Sequence, residues 1–328
     1  MTSLLGSFTQ LMTPDTIGKL SRVAGVDSNQ AQKGLDVIGP LVLGSLARKS
    51  ETVSGMDSIM RLLPDDTGTG LLGKVVSMAG SASPIAASSL LSGVLGPGVN
   101  TIGKALGGRL GFDATPLLSL AAPAILGVIS STAKEHKLNS ADIAKTLQEE
   151  ATATMAAARP EVQAVLTEAF RLGDKAEELR KRFPDQEWKN IQLAPIAATF
   201  YVISASPSGV AGLSKEVIAG GDALKELVKS AMPTSLVDVA FGSYDQKLEW
   251  EGLDDKNARV KMLAVLREAS AAVKAKSPVD AQSFSDALVT VSRKVAEASK
   301  EGGFLGIGGT RVSQQEEHAI AEIAAALV

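Results

Sequence analysis

The hydrophobic pattern of this chain is dominated by two apolar segments that each contain a proline. The first reads Gly39-Pro40-Leu41-Val42-Leu43-Gly44, and the second reads Ala122-Pro123-Ala124-Ile125-Leu126-Gly127. Apolar residues cover nearly every side of both segments, which predicts buried helices and not surface helices. A proline inside a helix removes one backbone donor and pushes on the preceding turn, so we expect both helices to be kinked.

The two proline segments close longer blocks that match each other. Thr16-Ile17-Gly18-Lys19 begins the first block and Thr101-Ile102-Gly103-Lys104 begins the second. Gly44 and Gly127 each follow the proline by four residues, where a second backbone could come close. This pattern predicts an internally duplicated helical domain with a buried helix pair. A self-association surface or a lipid-contacting hairpin is the alternative interpretation.

Three glycines in the second block, Gly103, Gly107 and Gly111, recur at intervals of four residues. On one helix they would form a bare stripe that permits close packing, at a cost of about 1 kcal/mol each relative to alanine. Such spacing indicates a membrane dimer only within a long apolar segment. Lys104 and Arg109 interrupt this one, so we expect helix packing in water.

The second half of the chain has the periodicity of an antiparallel helical bundle. Apolar residues spaced by three and four predict two helices joined by a short turn at Ser277-Pro278. The residues that carry this spacing are Met262, Leu266, Ala269, Val273, Phe284, Leu288, Val291, Val295 and Ala298. Ser313 and Glu316 have the spacing of a capping box and predict the start of a last helix. The fold class predicted for the whole chain is therefore all-α.

Composition places a domain boundary near the middle of the chain. Hydrophobic residues make up 45% and charged residues 21%, which is typical of a globular protein, and the 4% aromatic content predicts an aliphatic core. Before residue 140 lie 19 of the 31 glycines, and the charge changes from slightly basic to acidic at the same place. We therefore predict two helical domains, residues 1–138 and 139–328.

Charge and hydrophobicity limit the partners that this chain can bind. The net charge is −3 with no long basic run, so we expect no binding to nucleic acid. The longest apolar stretch, Pro116–Ser130, is shorter than the roughly 20 residues that span a bilayer. The N-terminal sequence lacks the positive region of a secretory signal. We predict a cytoplasmic protein, with a membrane-surface role possible but not favoured.

The residue patterns that carry chemistry predict neither an enzyme nor a cofactor. The glycine-rich segment 302–310 lacks the Gly-Lys-Ser or Gly-Lys-Thr ending of a phosphate loop, and we expect Phe304, Leu305 and Ile307 to pack against a neighbouring subunit. The two histidines, His136 and His318, are far apart, and cysteine is absent. Paired acidic residues fit solvated helix faces, so we predict no catalytic, cofactor-binding or metal-binding residue.

The repeated blocks at Pro40–Gly44 and Pro123–Gly127 resemble the bacterial YidB-like family of unknown function over about residues 1–138. This resemblance implies a small helical domain and brings no catalytic residues with it. The second half is similar to helical tellurite-resistance (TerB-like) proteins at Val312–Glu316 and at Lys294–Ala298, which implies a role in stress response. The apolar segment Phe304–Gly309 replaces the acidic turn of that family.

Taken together, these patterns predict a non-enzymatic helical protein that self-associates as a scaffold or stress-linked assembly component. We expect a homo-oligomer that packs through Pro40, Gly44, Pro123, Gly127 and the glycine stripe. Two alternatives stay open. One is a membrane-surface module, and the other is a protein that binds a small ligand or a metal between its two halves.

Overall fold

The computed structural model describes residues 3–64, 84–205, 210–243, 257–298 and 312–328. Every regular element in these ranges is helical, and the ranges contain no strand. This confirms the all-α prediction. The chain divides into two compact units, Met1–Glu177 and Glu178–Val328.

The first unit is built from nine α-helices within the described residues, and the last of them, α9, ends four residues beyond the division. Their bounds are α1 (Leu4–Leu11), α2 (Pro14–Ala24), α3 (Ser28–Lys49), α4 (Val53–Leu62), α5 (Pro84–Leu95), α6 (Val99–Leu110), α7 (Thr115–Glu135), α8 (Ser140–Ala157) and α9 (Pro160–Lys181). A short 3₁₀ turn, Gly96–Gly98, joins α5 to α6.

Local sequence explains where these helices begin and end. The Asp27 side chain caps α3 by accepting a hydrogen bond from the Gln30 backbone amide. In turn, Oε1 of Gln30 accepts a hydrogen bond from the Asp27 backbone amide, which completes a capping box. Helix α2 ends at Gly25 and α6 ends at Gly111, both in the left-handed conformation at φ 70° and 79°. Glycine adopts this conformation without steric cost, so each one ends its helix cleanly.

Helices α3 and α7 form the centre of the first unit. They pack against each other, and α3 also packs along α8. Pro40 is buried inside α3, and Pro123 lies partly buried inside α7, so the two prolines occupy helices as predicted. The kink at each proline stays a prediction. The core around these helices is aliphatic, with fully buried Ile38, Leu41, Leu43, Leu117 and Leu118.

The first unit extends past the change in composition near residue 138. That change lies between α7 and α8, and α8 packs on α3, so the contacts continue to Glu177. The extent of the sequence-defined domain stays a prediction. Glycine disfavours a helix interior, yet α9 is continuous through Gly173. Gly173 lies against Gly98, with its Cα 3.1 Å from the position that a Cβ would take on Gly98.

The second unit surrounds one apolar helix. Within the described residues its helices are α10 (Asp185–Ile203), α11 (Val210–Ser230), α12 (Ala258–Lys276), α13 (Ala281–Ala298) and α14 (Gln314–Leu327), with a π-helical segment at Val237–Phe241 and a 3₁₀ turn at Pro278–Asp280. Helix α10 contacts all four of the other α-helices. Most residues of its apolar part, from Ile191 to Val202, are buried.

The predicted helical hairpin is correct in its bounds but not in its main packing partners. The apolar residues that carry the spacing are buried on both helices. They are Met262, Leu266, Ala269 and Val273 on α12, and Phe284, Leu288, Val291 and Val295 on α13. However, α12 packs mainly against α10, and α13 packs mainly against α10 and α11. The reason is that the second half of α10, from Ile191, is apolar on nearly every side. The apolar sides of α12 and α13 therefore bury more surface against α10 than against each other.

A small group of buried polar side chains holds the π-helical segment in place. Asp280 accepts hydrogen bonds from the Leu236 amide at 3.1 Å and from the Ser277 hydroxyl at 2.7 Å. The Gln192 amide donates to the Ala240 carbonyl at 3.3 Å. A wide helical turn leaves backbone groups poorly paired, and these side chains supply the missing partners.

Candidate functional site

The two predicted proline–glycine pairs lie inside the core of the first unit. Gly44 is on the buried side of α3, and Gly127 is buried on α7. A Cβ placed on Gly44 would lie 2.5 Å from Cζ of Phe170, far inside van der Waals contact. Glycine is therefore required at position 44 so that the Phe170 ring of α9 can reach α3.

The Phe170 contact is part of a polar clamp between α9 and α3. The Arg48 guanidinium lies over the Phe170 ring at 5.3 Å from its centroid. The same guanidinium donates to both carboxylate oxygens of Asp174, at 2.7 and 2.8 Å. Both bonds come from the one nitrogen Nη2, and the two side chains are 45% and 53% exposed. This surface ion pair therefore connects α9 to α3 but adds little to stability.

The predicted glycine stripe is wrong in its length. Gly103 and Gly107 lie on α6, but Gly111 comes after the helix and ends it. A Cβ on Gly103 would lie 3.1 Å from the Thr115 hydroxyl, and one on Gly107 would lie 3.4 Å from the Phe112 carbonyl. Both glycines therefore make room for the chain as it returns into α7. Phe304, Leu305 and Ile307 lie outside the described residues.

A polar cluster in the second unit brings together side chains from three helices. Arg259 of α12 lies over the ring of Tyr201 at 3.9 Å, and its Nη1 donates to the Ser204 hydroxyl at 2.7 Å and to the Tyr201 carbonyl at 3.3 Å. Its Nη2 donates to Oε2 of Glu322 on α14 at 3.2 Å. The Tyr201 hydroxyl donates to the same carboxylate oxygen at 2.8 Å.

The surroundings of Tyr201 in this cluster favour its neutral form. Burial raises the pKa of Tyr201, and its hydrogen bond to Glu322 raises that pKa further. Tyr201 is only 2% exposed, so its phenol acts as a fixed donor. Nε2 of His318 lies 3.6 Å from Oε1 of Glu322, a distance that makes an ion pair when the imidazole is protonated. The cluster therefore organises hydrogen-bond donors around one carboxylate.

An open groove of about 540 Å³ lies beside the cluster. We call it the Arg259 groove, and it is lined by Ser204, Ala205, Arg259, Gln314, Gln315 and His318. Its floor includes the start of α14, where the predicted capping box is confirmed. Ser313 accepts a hydrogen bond from the Glu316 amide at 3.2 Å, and Glu316 accepts one from the Ser313 amide at 2.7 Å.

Sequence reasoning did not find the Arg259 groove. Tyr201, Arg259 and Glu322 are separated by more than fifty residues each, and no short motif connects them. His318 gives no signal of the groove in the sequence, because Glu322 is one turn away on α14 and the two residues have the spacing of an ordinary pair on a helix surface. The described residues contain no group of three or more His, Asp or Glu side chains that could hold a metal ion.

The outer side of α11 carries a second candidate surface. We call it the α11 surface and define it by Val217, Ile218, Gly221, Val228 and Met232. Val217, Ile218 and Met232 are 41%, 63% and 77% exposed, and Val228 is half-buried. A Cβ on Gly221 would meet no atom within 4 Å. The apolar residues therefore lie around Gly221, where the lack of a side chain leaves open space on the outer side of the helix.

Comparison with known protein families gives one match. Residues 7–132 match the model of a family described as bacterial protein of unknown function, DUF937. The matched family is the YidB-like one, and we call residues 7–132 the YidB-like domain. No curated protein and no solved structure matches the chain. The expected similarity of the second half to TerB-like proteins finds no support in these comparisons.

The YidB-like domain ends just before the change in composition near residue 138. It contains both proline segments and Gly103 and Gly107 of α6, which make room for packing inside the first unit. Helix α7 of this domain is the one described helix that is long and apolar enough to cross a membrane. Its apolar window is 72% buried within the protein, as in a core helix. The Arg259 groove and the α11 surface both lie outside the YidB-like domain.

Proposed function

We propose that this protein is a non-enzymatic helical protein that self-associates as a scaffold or assembly component. The observation that carries the proposal is the α11 surface. Exposed apolar side chains scattered singly are normal, but here Val217 and Ile218 are neighbours on α11, and Met232 follows two residues after its end. At its centre, Gly221 leaves space for the backbone of a second helix to come close.

The spacing of the α11 surface suits a helix as its partner. Val217, Gly221 and Val228 are four and seven residues apart, so they follow one stripe along the helix. A neighbouring side of α11 is already used, because Gly220 faces Thr199 and Val295 within the same unit. A second copy of α11 would cover the stripe and bury the exposed valine and isoleucine side chains.

We also propose that the YidB-like domain is an internal duplication whose long helices are kinked at Pro40 and Pro123. Helices α2 and α6 are of similar length, and each ends at a left-handed glycine. Two residues after each glycine, Asp27 or Asp113 accepts a hydrogen bond from a backbone amide at the start of the next helix. Each following helix then has one proline in its interior, Pro40 or Pro123, and α7 has a second proline, Pro116, in its first turn. The shared interior proline supports a common origin for the two blocks.

The membrane-surface alternative has less support, since the apolar side of α7 is largely buried in the first unit. The stress-linked role rested on the TerB-like resemblance, and we do not propose it further. The cytoplasm stays the proposed location, on the grounds of the sequence alone.

Self-association is tested by sedimentation equilibrium of the wild-type chain and of Gly221→Gln. Glutamine has a better helix propensity than glycine by roughly 0.5–1 kcal/mol, and the open space at Gly221 accepts its side chain. The variant therefore keeps or gains monomer stability while it blocks a close helix approach. We expect the wild type to form a dimer or larger assembly and Gly221→Gln to weaken it by at least about tenfold.

The matched control is Gly18→Gln on α2, which also lies inside a helix with no atom within 4 Å of an added Cβ. It should leave the assembly unchanged. A wild-type chain that stays monomeric at tens of micromolar, or equal loss of assembly in both variants, would contradict the proposal.

A further inference from the structure

We propose that the Arg259 groove is a binding site for an oxyanion, a phosphate or carboxylate group carried by a small molecule. The groove volume of about 540 Å³ lies within the range of small-molecule sites, which is roughly 300–1,000 Å³. Its polar lining consists of a guanidinium, an imidazole, two primary amides and a hydroxyl. The guanidinium, the imidazole and the amides can each donate a hydrogen bond to an anionic oxygen, whereas the Ser204 hydroxyl already donates to the Tyr201 carbonyl at 2.7 Å.

Arg259 is positioned to donate to a ligand while its orientation stays fixed. The guanidinium has five N–H donors, and three of them are used by the Ser204 hydroxyl, the Tyr201 carbonyl and Glu322. The remaining two have no acceptor among the described residues. Stacking on Tyr201 holds the plane of the guanidinium, and its side chain is 40% exposed, so the free donors can meet a ligand.

The start of α14 adds backbone donors to the same groove. The capping box satisfies the amides of Ser313 and Glu316, and the Glu317 amide bonds to the Ser313 carbonyl. Gln314 and Gln315 occupy the first two helical positions, where amides have no partner within the helix. The positive end of the helix dipole favours an anion at this place, and Glu316 and Glu317 in the first turn already offset part of that dipole.

The charge balance predicts weak and selective binding. Glu322 faces the cluster and offsets much of the Arg259 charge, and His318 adds a positive charge only when it is protonated. An oxyanion therefore binds through hydrogen bonds from several fixed donors more than through net charge. We expect millimolar affinity for inorganic phosphate, about the strength of a few such bonds in an open site.

Nuclear magnetic resonance of the histidine rings tests this site directly, because the chain has two histidines. His318 lines the groove, and the exposed His136 of the first unit is an internal control. Sodium phosphate and sodium acetate are titrated separately at constant pH and at constant ionic strength held with sodium chloride. We expect a saturable shift of the His318 signals and none at His136. The arm that saturates at lower concentration identifies phosphate or carboxylate.

Three variants connect the shift to the groove. Gln315→Glu adds a negative charge to the lining without touching the bonds of Arg259, and it should weaken binding by at least about tenfold. Arg259→Gln removes the central donor and should abolish saturation. Arg267→Gln, an exposed arginine of the same helix outside the lining, should bind as the wild type does.

Several outcomes would overturn the proposal. These are a linear shift, an equal shift at His136, or saturation that survives Gln315→Glu. Because Arg259→Gln also removes bonds within the unit, its thermal unfolding is measured as well. The Gln315→Glu variant decides the question if Arg259→Gln does not fold.

Discussion

The contact between Gly44 and Phe170 predicts that Gly44→Ala lowers stability when the Phe170 ring is present and raises it when the ring is removed. Gly44→Ala places a methyl group 2.5 Å from Cζ of Phe170 and 3.3 Å from two further ring carbons. Carbon atoms in ordinary contact lie about 3.5–4.0 Å apart. The ring must therefore move by roughly 1 Å or more, against the Arg48 guanidinium that lies over it.

Two opposing terms set the size of the effect. Alanine is favoured over glycine inside a helix by about 1 kcal/mol. Inserting a methyl group into a packed core costs about 1–3 kcal/mol. We expect Gly44→Ala to lower the free energy of unfolding of the first unit by about 1 kcal/mol. In a Phe170→Ala background the clash is gone, so Gly44→Ala should raise it by about 1 kcal/mol.

Urea unfolding of the four chains in this cycle measures the coupling. Both tryptophans and both tyrosines come after residue 177, so their fluorescence follows the second unit alone. Far-ultraviolet circular dichroism follows both units. The substitutions should shift the part of the circular dichroism transition that comes from the first unit. They should leave the fluorescence transition, which comes from the second unit, unchanged.

The matched control is Gly18→Ala, at a helical position with no atom within 4 Å of the new Cβ. It should stabilise the first unit by up to about 1 kcal/mol in either background. The reasoning is refuted if Gly44→Ala stabilises as Gly18→Ala does, or if its effect is the same with and without the Phe170 ring.

Two further predictions concern the second unit. Ser313→Ala removes the capping box and should cost about 1 kcal/mol in urea unfolding followed by fluorescence, whereas Thr290→Ala, an exposed hydroxyl in the middle of α13, should cost little; equal losses would show that the cap contributes nothing. Because the pKa of Tyr201 is raised in the folded state, its contribution is present below the unfolded pKa of about 10 and is lost as pH rises through the folded pKa. Tyr201→Phe should therefore flatten the fall in stability above about pH 10, and an unchanged fall in that variant would argue against this linkage.

Helix positions could be predicted from the sequence because their signals are local. Asp27, Pro84 and Ser313 mark the starts of α3, α5 and α14, and the structure has a helix beginning at each of these places. The burial of both proline segments also followed from their uniformly apolar composition. These features depend on a few neighbouring residues, so one chain is enough to recognise them.

The packing partners could not be predicted, because they depend on residues far apart in the chain. Glycine at position 173 suggests a break in the helix, but in the structure Gly98 lies against it and α9 is continuous. Gly111 reads as part of a stripe, although the left-handed turn that it forms ends the helix. The Arg259 groove depends on residues from α10, α12 and α14, whose meeting follows from the way the helices pack and not from any motif.

The most direct test of self-association is disulfide cross-linking from a single introduced cysteine, since the natural chain has none. Lys225→Cys places the thiol beside the α11 surface, and Lys145→Cys places it on α8; the two lysine side chains are 82% and 76% exposed. Packed helices lie about 8–10 Å apart, so a thiol next to a self-association surface meets its copy. Under mild oxidation we predict a covalent dimer from Lys225→Cys, suppressed by Gly221→Gln, and little from Lys145→Cys. Equal dimer yields from both positions, or none from Lys225→Cys, would contradict the account.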